Sequence, residues 1–164
     1  MIRSLDLIFI TLGSQKFQFN RLLKAIDEQI ADGRIKEKAF AQIGSSDYRP
    51  VNYKFKDFLD RDEFAEWTSK ADIVITHGGT GAIIGAVKKG KKVIAVPRLA
   101  KYGEHVDDHQ LQLVEQFKDL NLICECRDCD NIWKAVEIVK KTHYESYKSN
   151  TENIIDSIEK FINK

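Results

Sequence analysis

Residues 72–81 read Asp72-Ile-Val-Ile-Thr-His-Gly-Gly-Thr-Gly81, and a second apolar run, Lys92-Val-Ile-Ala-Val96, follows shortly after. The apolar and β-branched residues of both runs predict strands at 72–76 and 92–96. Between them, residues 82–89 predict a helix that Gly90 ends. Because parallel strands need a crossover of about a dozen residues or more, usually helical, this stretch predicts a right-handed strand–helix–strand unit.

The same alternation extends over the rest of the chain. A nearly continuous apolar run predicts a first strand at 5–12, and apolar residues at helical spacing predict a helix at 19–30. Further strands are predicted at 38–43 and 120–124, and further helices at 63–70, 107–117, 130–141 and 144–163. No repeat or linker divides the chain. We therefore predict one α/β domain over residues 1–164, with a Rossmann-like, doubly wound, mainly parallel sheet and helices on both faces.

The composition limits the classes of function. The 164 residues include 26 Lys and Arg against 25 Asp and Glu, a net charge of +1, which argues against nucleic acid as a partner. No apolar run approaches the roughly 18–20 residues that span a bilayer. An odd number of cysteines without a signal peptide is typical of a reducing compartment, so we expect a cytoplasmic location.

Two groups of residues contain the residue types that bind metals. Cys124, Cys126 and Cys129 lie close together, but a closed zinc site needs four ligands and no second Cys/His pair is spaced to complete it. The run 107–109 holds two aspartates and a histidine, yet consecutive residues at a helix start point in different directions. We predict no metal, no cofactor, and thiols that are buried or unreactive.

Candidate ligand-binding residues lie in three turns. The carboxyl ends of parallel strands share one edge of the sheet, so the turns at 13–17, 77–81 and 97–106 are expected to meet there. The turn 77–81 has glycine at three positions and precedes a helix, where backbone N–H groups and the helix dipole favour an anion such as phosphate. A tight turn without a ligand explains the same glycines. The turn has neither the P-loop nor the G-x-G-x-x-G spacing.

Two further segments carry polar residues at the same predicted edge. Gly13-Ser14-Gln15 offers backbone N–H groups with a hydroxyl and an amide, although an ordinary helix cap has the same composition. The segment 98–110 is unusually rich in charged and polar residues. Its carboxylates and amide can accept hydrogen bonds from sugar hydroxyls, and its histidines can contact phosphate or transfer protons. A solvated loop with Asp107 or Asp108 as the helix cap is the alternative.

Three motifs together resemble the C-terminal, donor-binding domain of glycosyltransferase family 28, one half of a GT-B enzyme. They are Phe9-Ile-Thr-Leu-Gly-Ser-Gln15, Ile75-Thr-His-Gly-Gly-Thr-Gly81 and the segment from His105 to Gln110. The resemblance covers nearly the whole chain. It is closest to stand-alone bacterial subunits for capsule or exopolysaccharide synthesis, through residues 42–50 and 97–105, and it extends to the soluble subunit of the eukaryotic UDP-N-acetylglucosamine transferase acting on dolichol-linked sugar.

This resemblance implies a UDP-sugar-dependent inverting glycosyltransferase subunit. It would add galactose or glucuronic acid to a lipid-linked sugar together with a membrane-attached, acceptor-binding partner, which would recruit it to the inner face of the cell membrane. The turns at 13–15 and 77–81 would bind the diphosphate, Arg98 or His105 would contact phosphate, and residues 108–110 would bind the donor sugar. The predicted substrate-binding residues are Gly13, Ser14, Gln15, His77, Gly78, Gly79, Thr80, Gly81, Arg98, Glu104, His105, Asp108, His109 and Gln110. No catalytic residue is assigned, because the general base is expected on the partner.

One position departs from the family pattern, and other functions stay open. Many relatives have a glutamate that binds ribose where this chain has Gly85, so Glu104 or a backbone carbonyl is a candidate replacement. A UDP-N-acetylglucosamine transferase subunit and a non-catalytic nucleotide-binding module are the alternatives. An epimerase or other dinucleotide enzyme is disfavoured, because the G-x-G-x-x-G motif and its downstream acid are absent.

Overall fold

The protein is described by a computed structural model covering residues 7–162, without the side chains of 149–152, 155 and 162. This part of the chain has six strands, and a helix separates each strand from the next except between the second and the third. The strands are β1 Leu7–Thr11, β2 Lys38–Gln42, β3 Lys54–Lys56, β4 Ile73–His77, β5 Lys92–Val96 and β6 Cys124–Glu125. The α-helices are α1 Asn20–Ala31, α2 Arg61–Lys70, α3 Thr80–Lys88, α4 His109–Asp119, α5 Ile132–Lys141 and α6 Ser149–Ile162.

The strands form one open sheet in the order β3-β2-β1-β4-β5-β6, and all neighbouring pairs are parallel. This confirms the predicted fold class. The strand order reverses between β1 and β4, so the connections that leave these two strands turn to opposite faces of the sheet. In such folds a crevice opens at this point, beyond the carboxyl ends of the strands. Thr11 pairs with Thr76, which brings the two strand ends level.

Helices cover both faces of the sheet because successive strand residues point to opposite sides. In β1, Ile8 and Ile10 pack with α1 and α5, whereas Phe9 packs with α2, α3 and α4. All three side chains are fully buried. Phe40 stacks on Trp67 of α2 with ring centroids 3.8 Å apart. Strands buried on both faces account for the nearly continuous apolar runs in the sequence.

The structure differs from the predicted elements mainly at the edges. The strand β3 was not predicted: its sequence Lys-Phe-Lys is short and mostly exposed, and its pairing with β2 places it at the sheet edge. The last strand is Cys124–Glu125 rather than 120–124, because α4 continues to Asp119 and Asn121 turns the chain with φ of 58°. Residues 144–148, predicted as helix, are part of an irregular segment at 142–148 before α6.

The start of α2 was predicted at Glu63, two residues too late. Helix α2 begins at Arg61 because Asp60 and Glu63 form a capping box, in which each side chain bonds the other's backbone N–H. Residues 5, 6 and 163 of the predicted elements lie outside the described residues. Within residues 7–162, none of the helices has both the length and the apolar character needed to span a bilayer.

Candidate functional site

A cleft of about 520 Å³ opens at the carboxyl ends of β1 and β4, between the turns that follow the two strands. It brings together most of the predicted site residues: Gly13, Ser14, Gln15, His77, Gly78, Gly79, Thr80, Gly81, His105, His109 and Gln110. Four further residues line it that were not predicted as ligand-binding residues: Ala82, Asp107, Leu113 and Glu159. The cleft lies where the strand order reverses, the usual ligand position in this fold.

The glycines of the two turns pack against the imidazole of His77. A Cβ at Gly13 would lie 2.8 Å from Nε2 of His77, and the positive φ of 74° at Gly13 already disfavours other residues. A Cβ at Gly79 would overlap Cε1 of the same ring. Gly81, in contrast, has open space around its Cα. Packing against His77 therefore explains why positions 13 and 79 are glycine, whereas the missing side chain of Gly81 leaves space in the cleft.

The hydrogen bonds of Gln110 fix the protonation state of His77. The side-chain oxygen of Gln110 accepts the backbone N–H of Gly78 at 2.9 Å and that of Arg98 at 3.0 Å. Its amide nitrogen therefore faces Nδ1 of His77, at 3.3 Å, and must donate to it. The N–H of Gly79 donates to the same Nδ1 at 3.1 Å. This pattern assigns the ring proton to Nε2, on the side of Gly13.

The buried position of His77 keeps the ring neutral. Burial, together with the positive charge of Arg98 and the nearby His105, lowers the pKa of His77 to about 4. At neutral pH the imidazole is uncharged and offers one N–H donor from Nε2. Its donor capacity at the cleft is therefore constant across the physiological pH range.

Helix α3 begins at the cleft without a side-chain cap. Gly79 is the residue before the helix, and among the described residues no side chain accepts a hydrogen bond from the first turn. Residues 80–82, whose backbone N–H groups lack an intrahelical acceptor, line the cleft. Ser14 and Gln15 are exposed on the opposite wall. Free N–H groups at a helix N-terminus, together with the helix dipole, make an anion-binding position.

Arg98 was predicted to contact phosphate, but the structure places it behind the cleft. Its side chain is 1% exposed. The guanidinium donates to the backbone carbonyls of Leu12 at 2.6 Å, Phe17 at 3.1 Å, Gln18 at 3.2 Å and Glu104 at 3.2 Å. Burial lowers the pKa of Arg98 to about 10, and the charge of Glu104 opposes this, so the side chain stays cationic at neutral pH. Arg98 thus ties the turn after β1 to the segment after β5.

Glu104 also lies outside the cleft, although it was a candidate for ribose or sugar contact. The residue is fully buried, and its carboxylate accepts two hydrogen bonds from Arg21, both at 3.0 Å. It accepts a third from the backbone N–H of Leu99, at 3.0 Å. These bonds occupy the carboxylate, so the geometry gives Glu104 a structural role. The sequence could not show this, because ligand contact and a buried ion pair both need a charged residue.

Residues 107–109, at the start of α4, line two different cavities. Asp107 lines the cleft and lies 3.2 Å from Nδ1 of His105 and 3.3 Å from Nδ1 of His109. A hydrogen bond from the backbone N–H of His109, followed by the nearby histidines, lowers the pKa of Asp107. Asp108, predicted to bind sugar, instead accepts the N–H of Ala100 at 2.8 Å and lines a neighbouring cavity of about 660 Å³.

The structure gives the cysteines no ligand-binding geometry. All three thiols are free, and Cys126 and Cys129 are buried. Burial raises the pKa of Cys126 to about 12 and that of Cys129 to about 11, so both are protonated at neutral pH. In residues 7–162, no three His, Cys, Asp or Glu side chains are grouped so that they could hold a metal ion.

Solved structures of known proteins share this fold. The calicheamicin glycosyltransferase CalG4 superposes with a TM-score of 0.62 at 19% identity, over 96% of this chain and 38% of that chain. MurG from Acinetobacter baumannii gives 0.59 at 17% identity, over 96% of this chain and 50% of that one. The NMR structure of ALG13 superposes with a TM-score of 0.58 at 18% identity, over 92% of this chain and 94% of that chain. At these identities the likeness establishes the fold alone.

Sequence comparison gives a family. UDP-N-acetylglucosamine transferase subunit ALG13 of Homo sapiens is 28% identical over 131 residues, which is 73% of this chain and 11% of the relative. The subunit of the same name from Yarrowia lipolytica is 26% identical over 99 residues, 59% of this chain and 48% of the relative. The chain thus spans less than half the length of both relatives. The family model described as the glycosyltransferase family 28 C-terminal domain matches residues 7–164, and this protein therefore belongs to that family.

Proposed function

We propose that this chain is the donor-binding subunit of an inverting, UDP-sugar-dependent glycosyltransferase. One observation carries the proposal. The uncapped start of α3, the turn at 13–15 and the neutral imidazole of His77 converge on one cleft at the β1–β4 crevice. These groups are hydrogen-bond donors without a full positive charge. They match the oxygens of a diphosphate, and membership of a glycosyltransferase family supports a sugar nucleotide as the ligand.

The same donors would stabilise a nucleoside diphosphate as it leaves the sugar. An acceptor hydroxyl attacks the anomeric carbon from the face opposite the diphosphate, the bond from that carbon to the β-phosphate oxygen breaks, and UDP leaves with the bonding electrons. Negative charge grows on the phosphate oxygens as the bond breaks. Preorganised N–H donors from residues 80–82 and from Nε2 of His77 stabilise that charge. The acceptor's proton goes to a general base that we do not place on this chain.

The sugar would lie on the side of the cleft formed by the start of α4. There Asp107 holds the rings of His105 and His109, while Gln110 has one amide hydrogen left after bonding His77. These side chains offer both donors and acceptors for sugar hydroxyls. The bacterial sequence motifs favour UDP-galactose or UDP-glucuronate and a role in capsule or exopolysaccharide synthesis. The names of the eukaryotic relatives favour UDP-N-acetylglucosamine.

We further propose that the acceptor site lies on a membrane-attached partner. The relatives are named as subunits, which supports a split enzyme. A lipid-linked sugar acceptor would then reach the cleft from the partner's side, and the chain would work in the cytoplasm at the inner face of the membrane. No transfer is expected from this chain alone, and addition of the cognate partner with a UDP-sugar should produce it.

A ligand panel tests the donor proposal directly. Thermal unfolding is measured with UDP, UDP-galactose, UDP-glucuronate, UDP-N-acetylglucosamine and NAD. A ligand present at about a hundred times its Kd stabilises the folded state by about 2.7 kcal/mol, which is easily measured. We expect stabilisation by UDP and most strongly by one UDP-sugar. Stabilisation by UDP without preference for any UDP-sugar would support a plain nucleotide-binding module, and stabilisation by NAD alone would overturn the proposal.

A further inference from the structure

The last helix contributes a carboxylate to the cleft. Helix α6 packs along α4, and Ile158 of α6 contacts the apolar side of α4 near Leu113 and Phe117. Leu113 lines both this contact and the cleft. The next residue of α6, Glu159, lines the cleft as well and is partly buried there. A residue some fifty positions beyond the predicted site segment thus becomes part of the site wall.

Among the described side chains, two carboxylates line this cleft, and their hydrogen-bond partners differ. Asp107 is engaged by His105, by His109 and by the backbone N–H of His109. Glu159 forms no ion pair and no side-chain hydrogen bond with the residues that the structure describes. Its acceptor oxygens are therefore available to a ligand, although they would repel a phosphate group. A ligand group that meets Glu159 favourably must be a hydrogen-bond donor.

We infer that the carboxylate of Glu159 accepts hydrogen bonds from a pair of adjacent hydroxyls on the bound nucleotide sugar; this inference rests on the donor site proposed above. A carboxylate has two acceptor oxygens whose spacing fits two neighbouring hydroxyls, and bonds to a charged acceptor are stronger than neutral ones. Such hydroxyl pairs occur on the ribose and on the transferred hexose. The walls at 13–15 and 80–82 supply donors for the diphosphate, so Glu159 adds the acceptor that the hydroxyls require.

The test compares Glu159→Gln with Asp156→Asn, which removes the same charge from an exposed position on the same helix. Binding of UDP, 2′-deoxy-UDP, UDP-galactose and the β-methyl ester of UDP is measured by calorimetry with both variants and the unmodified chain. UDP and 2′-deoxy-UDP carry equal charge, and so do UDP-galactose and the β-methyl ester of UDP, so loss of charge near the cleft affects both members of each pair equally. The ratio of affinities between ligands therefore isolates the hydroxyl contact, and circular dichroism checks that α6 is retained.

We expect Glu159→Gln to weaken hydroxyl-dependent binding about tenfold, the effect of one hydrogen bond to a charged group. If UDP loses its advantage over 2′-deoxy-UDP, the hydroxyls are those of ribose. If only UDP-galactose loses affinity, relative to the methyl ester, they are those of the hexose. Unchanged ratios in a chain that still binds UDP would overturn this inference alone. Failure of the unmodified chain to bind either UDP or UDP-galactose would overturn the donor-site proposal and this inference with it.

Discussion

The amide nitrogen of Gln110 lies 3.3 Å from Nδ1 of His77, and both side chains are buried. The oxygen of the same amide accepts the N–H groups of Gly78 and Arg98, which come from the ends of neighbouring strands β4 and β5. One side chain thus joins the glycine turn, the segment after β5 and the start of α4. The family resemblance implied sugar contact for Gln110, and its bonds show that it also supports the structure of the site.

Replacing Gln110 with leucine should destabilise the fold. The change leaves two buried N–H groups without acceptors, and each unsatisfied group costs about 1–3 kcal/mol. We expect a loss of about 3 kcal/mol in the free energy of unfolding, measured by urea denaturation. Gln112→Leu is the matched control, because Gln112 is exposed on the same helix. Equal losses in the two variants would refute the role given to Gln110.

The neutral state of His77 predicts a specific dependence of stability on pH. Its pKa falls from 6.5 to about 4 on folding, so the folded state binds its proton less well than the unfolded state. The resulting stability is present above pH 6.5 and is lost as the pH falls toward 4. A shift of this size corresponds to roughly 3 kcal/mol.

Unfolding free energies of the unmodified chain and of His77→Gln test this dependence. Their difference should shrink as the pH falls through this range, because only the unmodified chain has an imidazole to protonate at this site. Nitrogen NMR shifts of the ring should report a proton on Nε2 at neutral pH. A constant difference, or a proton on Nδ1, would contradict the assignment.

Two glycine-to-alanine changes should have opposite effects. In Gly79→Ala the new methyl group overlaps the His77 ring, and a clash of this kind costs about 1–3 kcal/mol. In Gly85→Ala the methyl meets no atom within 4 Å on an exposed face of α3. There the change should stabilise the helix by about 0.5–1 kcal/mol. Thermal unfolding distinguishes the two, and equal midpoints would show that Gly79 is not held by packing on His77.

Arg98→Lys should weaken both the fold and the diphosphate site. Arg98 uses two nitrogens to donate hydrogen bonds to four backbone carbonyls. A lysine side chain has one nitrogen, so some of these carbonyls would lose their donor. We expect a loss of about 2–4 kcal/mol in unfolding free energy and weaker UDP binding, because Arg98 holds the turn at 13–15. Arg127→Lys changes an exposed arginine and should cost less than about 1 kcal/mol. If the affinity for UDP is unchanged in Arg98→Lys, Arg98 does not contribute to the diphosphate site.

Part of the site could be predicted from the sequence because it is formed by residues that are close together in the chain. The glycines at 78, 79 and 81 follow an apolar run and precede a helix, and that order places backbone N–H groups at the edge of a parallel sheet. The segment 98–110 was also recognisable as polar. The sequence could not show which of these residues line the cleft. Glu104 and His105 are polar neighbours in the chain, but in the fold Glu104 is fully buried and His105 lines the cleft.

The sequence by itself determined the parallel α/β architecture, because long apolar runs alternating with helical periodicity leave few other ways to bury both kinds of segment. The structure alone decided the rest. It placed the edge strand Lys54–Lys56 by pairing it with β2, and it buried Arg98 while leaving Gln15 exposed. It also brought Glu159 of α6 to a cleft formed mainly by residues 13–110. Pairing, burial and proximity between distant segments depend on packing in three dimensions, which local sequence patterns do not encode.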